Sequence, residues 1–504
     1  MPTYPRNLAA RVSASAVRPV IISFILIALY FINISYNITR FYKIGAGDDS
    51  GWFSWLASNA YHWPMNNPDL IGGNFLSTHM SIIFFVTTFL LQPFSDFPVA
   101  VRFCCFISIW APLLWMALYL LLDRFNITFQ QRCSVSILLT FNGLMLSMLG
   151  FPHIEILIPA FGLLAVALCL RAKSVLGWAT VGIIALLALT IREDAGLHLF
   201  LVLVAMTLAS MWVKDRLTMW RLLGLAAFFI AGSILTLWVQ RQGLPSGGQQ
   251  LGNVYFGHPA LSKVTIKSLA NRIMYWATRR EYIFLPFMLL LFLGTFDFSK
   301  NRLLLLGPAI SLPWLSLSLI AVGQQAGDLW SYYCFPLTLM FFWPLLLGQL
   351  KSQILNQRLL ATQIGMGGLS TVAFIIVGLL PHVGDGGSHD KAPWTHLAPP
   401  SLSLIRQTEE SLTNRDGWLF DYGAAALVFG SLRSGQFRSG LVYEELDIKA
   451  ARGFIRFIIE PNFLASEIST LEHVFPVCTT IEGTVMEICT RAPGVDTLPA
   501  SLQE

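Results

Sequence analysis

The chain has 504 residues, of which 55% are hydrophobic and only 12% charged, with a formal net charge of +5. A soluble domain carries about 25% charged residues, so a purely water-soluble globule is excluded. The Lys and Arg residues sit in short separate loops rather than one basic stripe, which argues against a nucleic-acid partner.

Arg6, Arg11 and Arg18 precede the first apolar run, and no small-residue cleavage site follows it. This predicts a retained first helix with its N-terminus in the cytoplasm. Apolar segments long enough for a hydrocarbon core of about 30 Å recur at 20–37, 98–122, 133–150, 154–170, 175–191, 195–213, 218–240, 281–298, 303–322, 329–349 and 360–381. The stretch 77–94 is also apolar. If it crossed, Arg124, Arg132, Arg171, Lys173, Lys214, Arg216, Arg221, Lys300, Arg302, Lys351 and Arg358 would face away from Arg6, Arg11 and Arg18. If it lies on the outer surface, all of them become cytoplasmic, as the positive-inside bias requires. The expected fold is therefore an α-helical polytopic membrane protein of about eleven spans with outer-surface helices. The expected layout is a transmembrane domain at 1–381, with outer loops at 38–97 and 241–280, then a linker at 382–401. A small α+β periplasmic domain at 402–504 completes it. The linker is read from Gly384-Asp385-Gly386-Gly387-Ser388 and Ala398-Pro399-Pro400. Residues 402–412 and 423–434 read as helices.

That topology gathers acidic and His residues on the outer face. The first are Asp48 and Asp49, followed at once by the aromatic stretch Trp52-Phe53-Ser54-Trp55-Leu56 and by Tyr61-His62-Trp63-Pro64. Paired acids at a membrane boundary are either solvated edge residues or a working pair. As a working pair, one would act as general base toward a hydroxyl, or both would hold Mg²⁺ or Mn²⁺. His79 opens an apolar surface helix and suits a phosphate, a metal or a simple cap. His153 and Glu155 begin a membrane helix and fit a polar pocket wall. Their spacing of two residues places them on different helical faces, which counts against a shared metal. Arg192-Glu193-Asp194 reads either as a self-neutralised turn capping the next helix or as an Arg gripping phosphate beside orienting acids. Lys263, Lys267, Arg272, Arg279 and Arg280 lie outward against the positive-inside trend and read as lipid-phosphate contacts or a solvated helix face. Asp328, Tyr332 and Tyr333 open another span from outside, as cavity lining or as an aromatic belt.

Of the seven cysteines, five lie in or beside apolar segments. Cys478 and Cys489 flank a hairpin pattern whose turn would be Gly483-Thr484, which places them opposite each other. A disulfide and two unlinked thiols fit that pattern equally. There is no G-x-x-x-x-G-K-[ST] phosphate loop, no H-E-x-x-H and no strand-borne G-x-G-x-x-G, so nothing points to a nucleotide-fuelled mechanism.

One membrane helix, an outer Asp48-Asp49, aromatic surface helices and a basic-ended second span resemble the GT-C superfamily of integral-membrane glycosyltransferases. More narrowly, Gly150-Phe151-Pro152-His153-Ile154-Glu155 with Arg192-Glu193-Asp194-Ala195-Gly196 is similar to an uncharacterised bacterial membrane family often grouped with them. The resemblance spans residues 20–381. It implies a transferase of the bacterial inner membrane that uses a polyprenyl-phosphate-linked sugar, with Asp48 or Asp49 as the catalytic acid residue and a periplasmic active site. No single Lys or Arg matches a fixed donor-phosphate motif. Two other classes stay open: a transporter or flippase of a lipid-linked glycan, and a non-catalytic membrane scaffold.

Overall fold

The computed structural model describes residues 6–44, 48–67, 73–150, 152–244, 252, 254–296, 302–329, 331–350 and 356–379. In the C-terminal part it describes 401, 403–405, 407–408, 418–420, 427, 453–457, 473–481 and 486–491. The expected linker, apart from Ser401, the turn Gly483-Thr484 and most of the two expected C-terminal helices lie outside the described residues.

The chain is a helical protein of the multi-pass membrane kind. Among the described residues six helices are long and apolar enough to cross a bilayer: Val17–Tyr42, Val99–Leu122, Ala195–Trp212, Arg216–Gln242, Arg302–Ile320 and Gln357–Val377. A seventh candidate is the pair Phe129–Thr140 and Gly143–Leu149, bent by 51°. The bend has a local cause. Asn142 caps the second half by accepting from the backbone N–H groups of Leu144 and Met145. Gly143 lies so close to the Ser370 backbone that a Cβ would collide with it. The other four expected spans are shorter apolar helices, Ile154–Cys169, Val175–Ile191, Glu281–Phe296 and Tyr332–Leu347. At 1.5 Å per residue, Val175–Ile191 reaches about 25 Å. Residues 77–94 do not form one helix. Phe75–Thr78 ends at His79, and Ile83–Phe94 follows as a shorter helix of about 18 Å, too short to cross.

We label the helices that carry the site α1 (Arg6–Thr39), α2 (Asp48–Asn59), α3 (Phe75–Thr78), α4 (Leu157–Cys169), α5 (Val175–Ile191), α6 (Ala195–Trp212), α7 (Arg216–Gly243) and α8 (Leu306–Ile320). Side chains on α1 such as Val20, Phe24 and Phe31 are more than half exposed, the pattern of a lipid-facing helix. Gly196 lets α6 lie against α7, because a Cβ there would meet the Phe229 carbonyl. Small residues permit such close approach between membrane helices.

Polar links sort the connections into two ends. At one end, Arg221 donates to the carbonyls of Leu170 (3.0 Å) and Ala172 (3.0 Å), Arg132 pairs with Asp123, and Gln349 donates to Leu121 O (2.8 Å). At the other, Arg40 donates to Gly150 O, Ser50 to Pro152 O (2.6 Å), Gln240 to Leu76 O (3.0 Å) and Thr236 to Glu193 O (3.3 Å). The second end carries the acidic and His-bearing connections.

In the C-terminal part, four strands, β1 (Trp418–Phe420), β2 (Gly453–Phe457), β3 (Val477–Thr480) and β4 (Met486–Thr490), form one sheet in the order β1-β2-β4-β3. β1 and β2 are parallel; β4 runs antiparallel to both β2 and β3. Cys478 faces Cys489 across β3 and β4, and the two form a disulfide. The other five cysteines are free thiols, four of them buried.

Candidate functional site

Five separate stretches of chain deliver ionisable side chains to one end of the helices. Asp49 comes from the first turn of α2, and His79 from the residue that ends α3. His153 and Glu155 come from the turn before α4. Arg192, Glu193 and Asp194 form the sharp link between α5 and α6. Tyr332 and Tyr333 lie in the short 3-10 turn Ser331–Cys334.

The link is the hub. Arg192, 5% exposed, donates from Nη1 to Glu155 Oε1 (3.3 Å) and places Nε 3.0 Å from Asp194 Oδ1. Glu193 accepts at Oε2 from the Met80 backbone N–H (2.9 Å), and its Oε1 lies 3.2 Å from His79 Nδ1. The Asp194 carboxylate approaches His198 Nε2 at 3.5 Å, one turn further along α6. Asp194 stands at the N-cap position of α6 but makes no side-chain capping bond; it faces Arg192 and His198 instead. The link is thus a buried ion-pair network reaching other segments, not a self-contained turn.

His153 and Glu155 differ from the sequence expectation. They were expected on opposite faces of a helix, yet the Nδ1 of His153 contacts Glu155 Oε2. The reason is backbone conformation. His153 is extended, at φ −138° and ψ 149°, and precedes the helical turn, so helical spacing does not govern its direction. The His153 ring then stacks on Tyr332, whose hydroxyl donates to Asp49 Oδ2 at 3.3 Å. This chain of contacts joins Asp49 to Glu155. The side chain of Asp48 lies outside the described residues.

Burial and charge set the protonation of the cluster. Burial pushes the Asp49 carboxyl up; His79 and the Tyr332 hydrogen bond oppose this without cancelling it. For Glu193, burial also pushes upward, but His79 and Arg192 outweigh it and hold the carboxyl below its ordinary value. Asp194 follows the same pattern, with Arg192 and His198 prevailing over burial. Burial, reinforced by the charges of His79 and Arg192, holds His153 well below the usual imidazole range. Neighbouring cations thus lower two acids while burial raises a third, Asp49, and pKa values pushed apart in this way are what general acid–base chemistry uses.

Beside the network is a cavity of about 240 Å³. Its lining combines polar side chains (Thr78, His79, Arg192, Glu193, Asp194, His198, Gln240, Tyr255 and Tyr333) with apolar ones (Leu197, Leu201, Leu237, Val254, Pro313, Trp314 and Leu317). Leu197 and Leu237 are 39% and 40% exposed, so the apolar part of the lining reaches the surface of the protein.

The remaining expected site residues lie elsewhere. Arg279, Arg280 and Asp328 are not among the residues that line this cavity. Arg280, 1% exposed, donates to the Asp328 carbonyl (2.9 Å) and to Tyr275 (3.0 Å). Arg272 donates to the carbonyls at the end of α8 and lies 3.8 Å from Asp328. Two of the outward basic residues are therefore turned inward onto backbone oxygens, where a cation offsets the negative end of a helix. As for a divalent cation, the described residues bring three His, Cys, Asp or Glu ligands close together only at Cys478, Glu487 and Cys489, of which the two cysteines are disulfide-bonded. No such group surrounds Asp49 among the described residues.

His198, Tyr255 and Trp314 were not anticipated. His198 had a signal: it is a His inside an apolar helix, four residues after Asp194. Tyr255 and Trp314 had none. No family model matches the chain, and no curated protein matches it in sequence.

Proposed function

We propose that the protein is a GT-C-type glycosyltransferase that moves a sugar from a polyprenyl-phosphate donor to an envelope acceptor. One observation carries this reading: a carboxylate and His network assembled from five segments adjoins a cavity whose lining includes the partly exposed apolar side chains Leu197 and Leu237. A substrate with a polar head on a long apolar chain is what such a mixed wall accommodates. In the proposed chemistry Asp49 or Asp48 takes the proton from an acceptor hydroxyl, the new glycosidic bond forms at the anomeric carbon, and polyprenyl phosphate leaves. A single displacement inverts the anomeric centre, through an oxocarbenium-like transition state.

In this reading the eleven helical segments all cross or nearly cross the bilayer, the N-terminus is cytoplasmic and the site is periplasmic. The Lys- and Arg-rich connections at the far end support that orientation. So does the Cys478–Cys489 disulfide, because such bonds persist in oxidising compartments. Residues 402–504 form the small periplasmic domain of the same proposal.

The test is sugar transfer in membranes from cells making wild-type protein, Asp48→Asn or Asp49→Asn. At least one substitution is expected to lower transfer a hundredfold or more, within the range attributed to a general base, about 10²–10⁴. Full transfer by both variants would overturn the mechanism.

A further inference from the structure

We infer that the cavity between α6, α7 and α8 is a subsite for an uncharged, hydroxyl-bearing head group carried on an apolar tail, and not for the donor phosphate. The inference deepens the transferase reading and rests on it only in naming that head group the acceptor.

Charge comes first. The ionisable lining residues are two carboxylates, Glu193 and Asp194, one guanidinium, Arg192, and the imidazoles of His79 and His198, besides the phenols of Tyr255 and Tyr333. Arg192 already directs Nε to Asp194 and Nη1 to Glu155. A phosphate entering here would have to compete with the Asp194 and Glu155 carboxylates that already face the one guanidinium.

Unused hydrogen-bonding capacity comes second. Tyr255 and His198 line the cavity and are 2% and 4% exposed. The Tyr255 hydroxyl and His198 Nδ1 have no hydrogen-bond partner among the described residues. Buried polar groups are nearly always paired, so each such atom calls for an explanation, a ligand included. A phenol hydroxyl both donates and accepts, and an imidazole nitrogen donates when it carries a proton and accepts when it does not. A sugar or polyol hydroxyl complements both.

Shape comes third. Trp314 is held by its indole N–H, which donates to the Tyr333 carbonyl at 3.1 Å. Its ring packs edge-on with His198 (4.8 Å) and Tyr255 (5.7 Å). An aromatic wall beside two unpaired polar atoms suits a ring with apolar C–H faces and polar edges. The tail has an exit, since Leu197 and Leu237 line the cavity and also face outward.

The experiment uses the full chain in phosphatidylcholine nanodiscs, titrated with hexyl β-D-glucopyranoside or with hexyl phosphate and read by calorimetry. The glucoside is expected to bind saturably, and hexyl phosphate at least tenfold more weakly. Tyr255→Phe removes only the hydroxyl and should weaken the glucoside about tenfold while leaving the melting temperature within a few degrees. Leu237→Trp narrows the apolar exit and should weaken the glucoside without changing the polar side. Equal or tighter binding of hexyl phosphate overturns the inference, as does unchanged glucoside affinity in both variants. The two readings fail separately. Glucoside binding with full sugar transfer by Asp48→Asn and Asp49→Asn sinks the transferase mechanism alone. Loss of transfer in those variants with no glucoside binding sinks the subsite alone.

Discussion

The imidazole of His153 lies parallel to the phenol of Tyr332, with ring centroids 3.8 Å apart and 7° between planes, and the same phenol donates its proton to Asp49 Oδ2 at 3.3 Å. An aromatic plate thus sets the direction of a hydrogen bond to the proposed base. His153 is fixed in turn by Glu155 and by the edge-on ring of Phe53, 4.3 Å away.

Tyr332→Phe keeps the plate and removes the hydrogen bond. Burial already raises the Asp49 pKa, and the Tyr332 hydroxyl is one of the groups that lowers it. Without it the pKa rises further. A base works only when ionised, so the acid limb of the pH–rate profile should move to higher pH. A hydrogen bond to a charged group is worth about 1.5–3 kcal/mol, and the substitution removes that support from the ionised form. Transfer above the new limb should be restored. An unmoved limb would mean that Asp49 is not the titrating base.

Arg192→Met should be strongly destabilising. It removes the guanidinium that faces Glu155, Glu193 and Asp194 and leaves buried carboxylates uncompensated, at a cost of about 3–5 kcal/mol. Thermal unfolding in nanodiscs should show a clear drop. Adding Glu155→Gln should recover part of it, because one of the orphaned charges is then gone. Additive losses in the double variant would contradict the network.

Acid should weaken the fold through the same link. Glu193 and Asp194 have depressed folded-state pKa values. Their contribution is complete above the unfolded values, about 3.9 for Asp and 4.3 for Glu, and is lost as pH falls through the lower folded values. Asp49 has the opposite sign: its raised pKa favours the fold below the unfolded value and that contribution is lost as pH rises through the folded one. Asp194→Asn should therefore flatten the decline in melting temperature below about pH 4, and Asp49→Asn should not.

Gly196→Ala should perturb the site without touching a polar group. The added methyl would meet the Phe229 carbonyl and Ser233 where α6 crosses α7. Overpacking of this kind costs about 1–3 kcal/mol. Because Gly196 follows Asp194 by two residues, sugar transfer should fall with stability. Measured transfer and melting temperature both equal to wild type would refute the close-packing account.

The sequence made the two-ended charge arrangement legible, because loop Lys and Arg residues are set by topology and need no packing knowledge. Asp49, Glu155, Arg192 and Glu193 could therefore be assigned to one end. Direct contacts were less accessible. The meeting of His153 and Glu155 depended on an extended residue before the helix, which periodicity does not reveal. Arg280 was legible as a cation of the expected outer loop but not as a partner of the Asp328 carbonyl, since that pairing depends on how the segment around 280 packs against the turn at 328. Tyr255 reaches the cavity only through tertiary folding. The bent helix at Asn142 was hidden by a mostly apolar run from 133 to 150, although Asn142-Gly143 is a recognisable breaker.

The most direct measurement follows polyprenyl phosphate released by purified, reconstituted protein supplied with a sugar-loaded polyprenyl-phosphate donor and a hydroxyl acceptor. The account predicts one polyprenyl phosphate for each glycosidic bond formed, with both products falling together in Asp49→Asn or Asp48→Asn. Donor that moves between leaflets intact, with no phosphate released above a protein-free control, would contradict it.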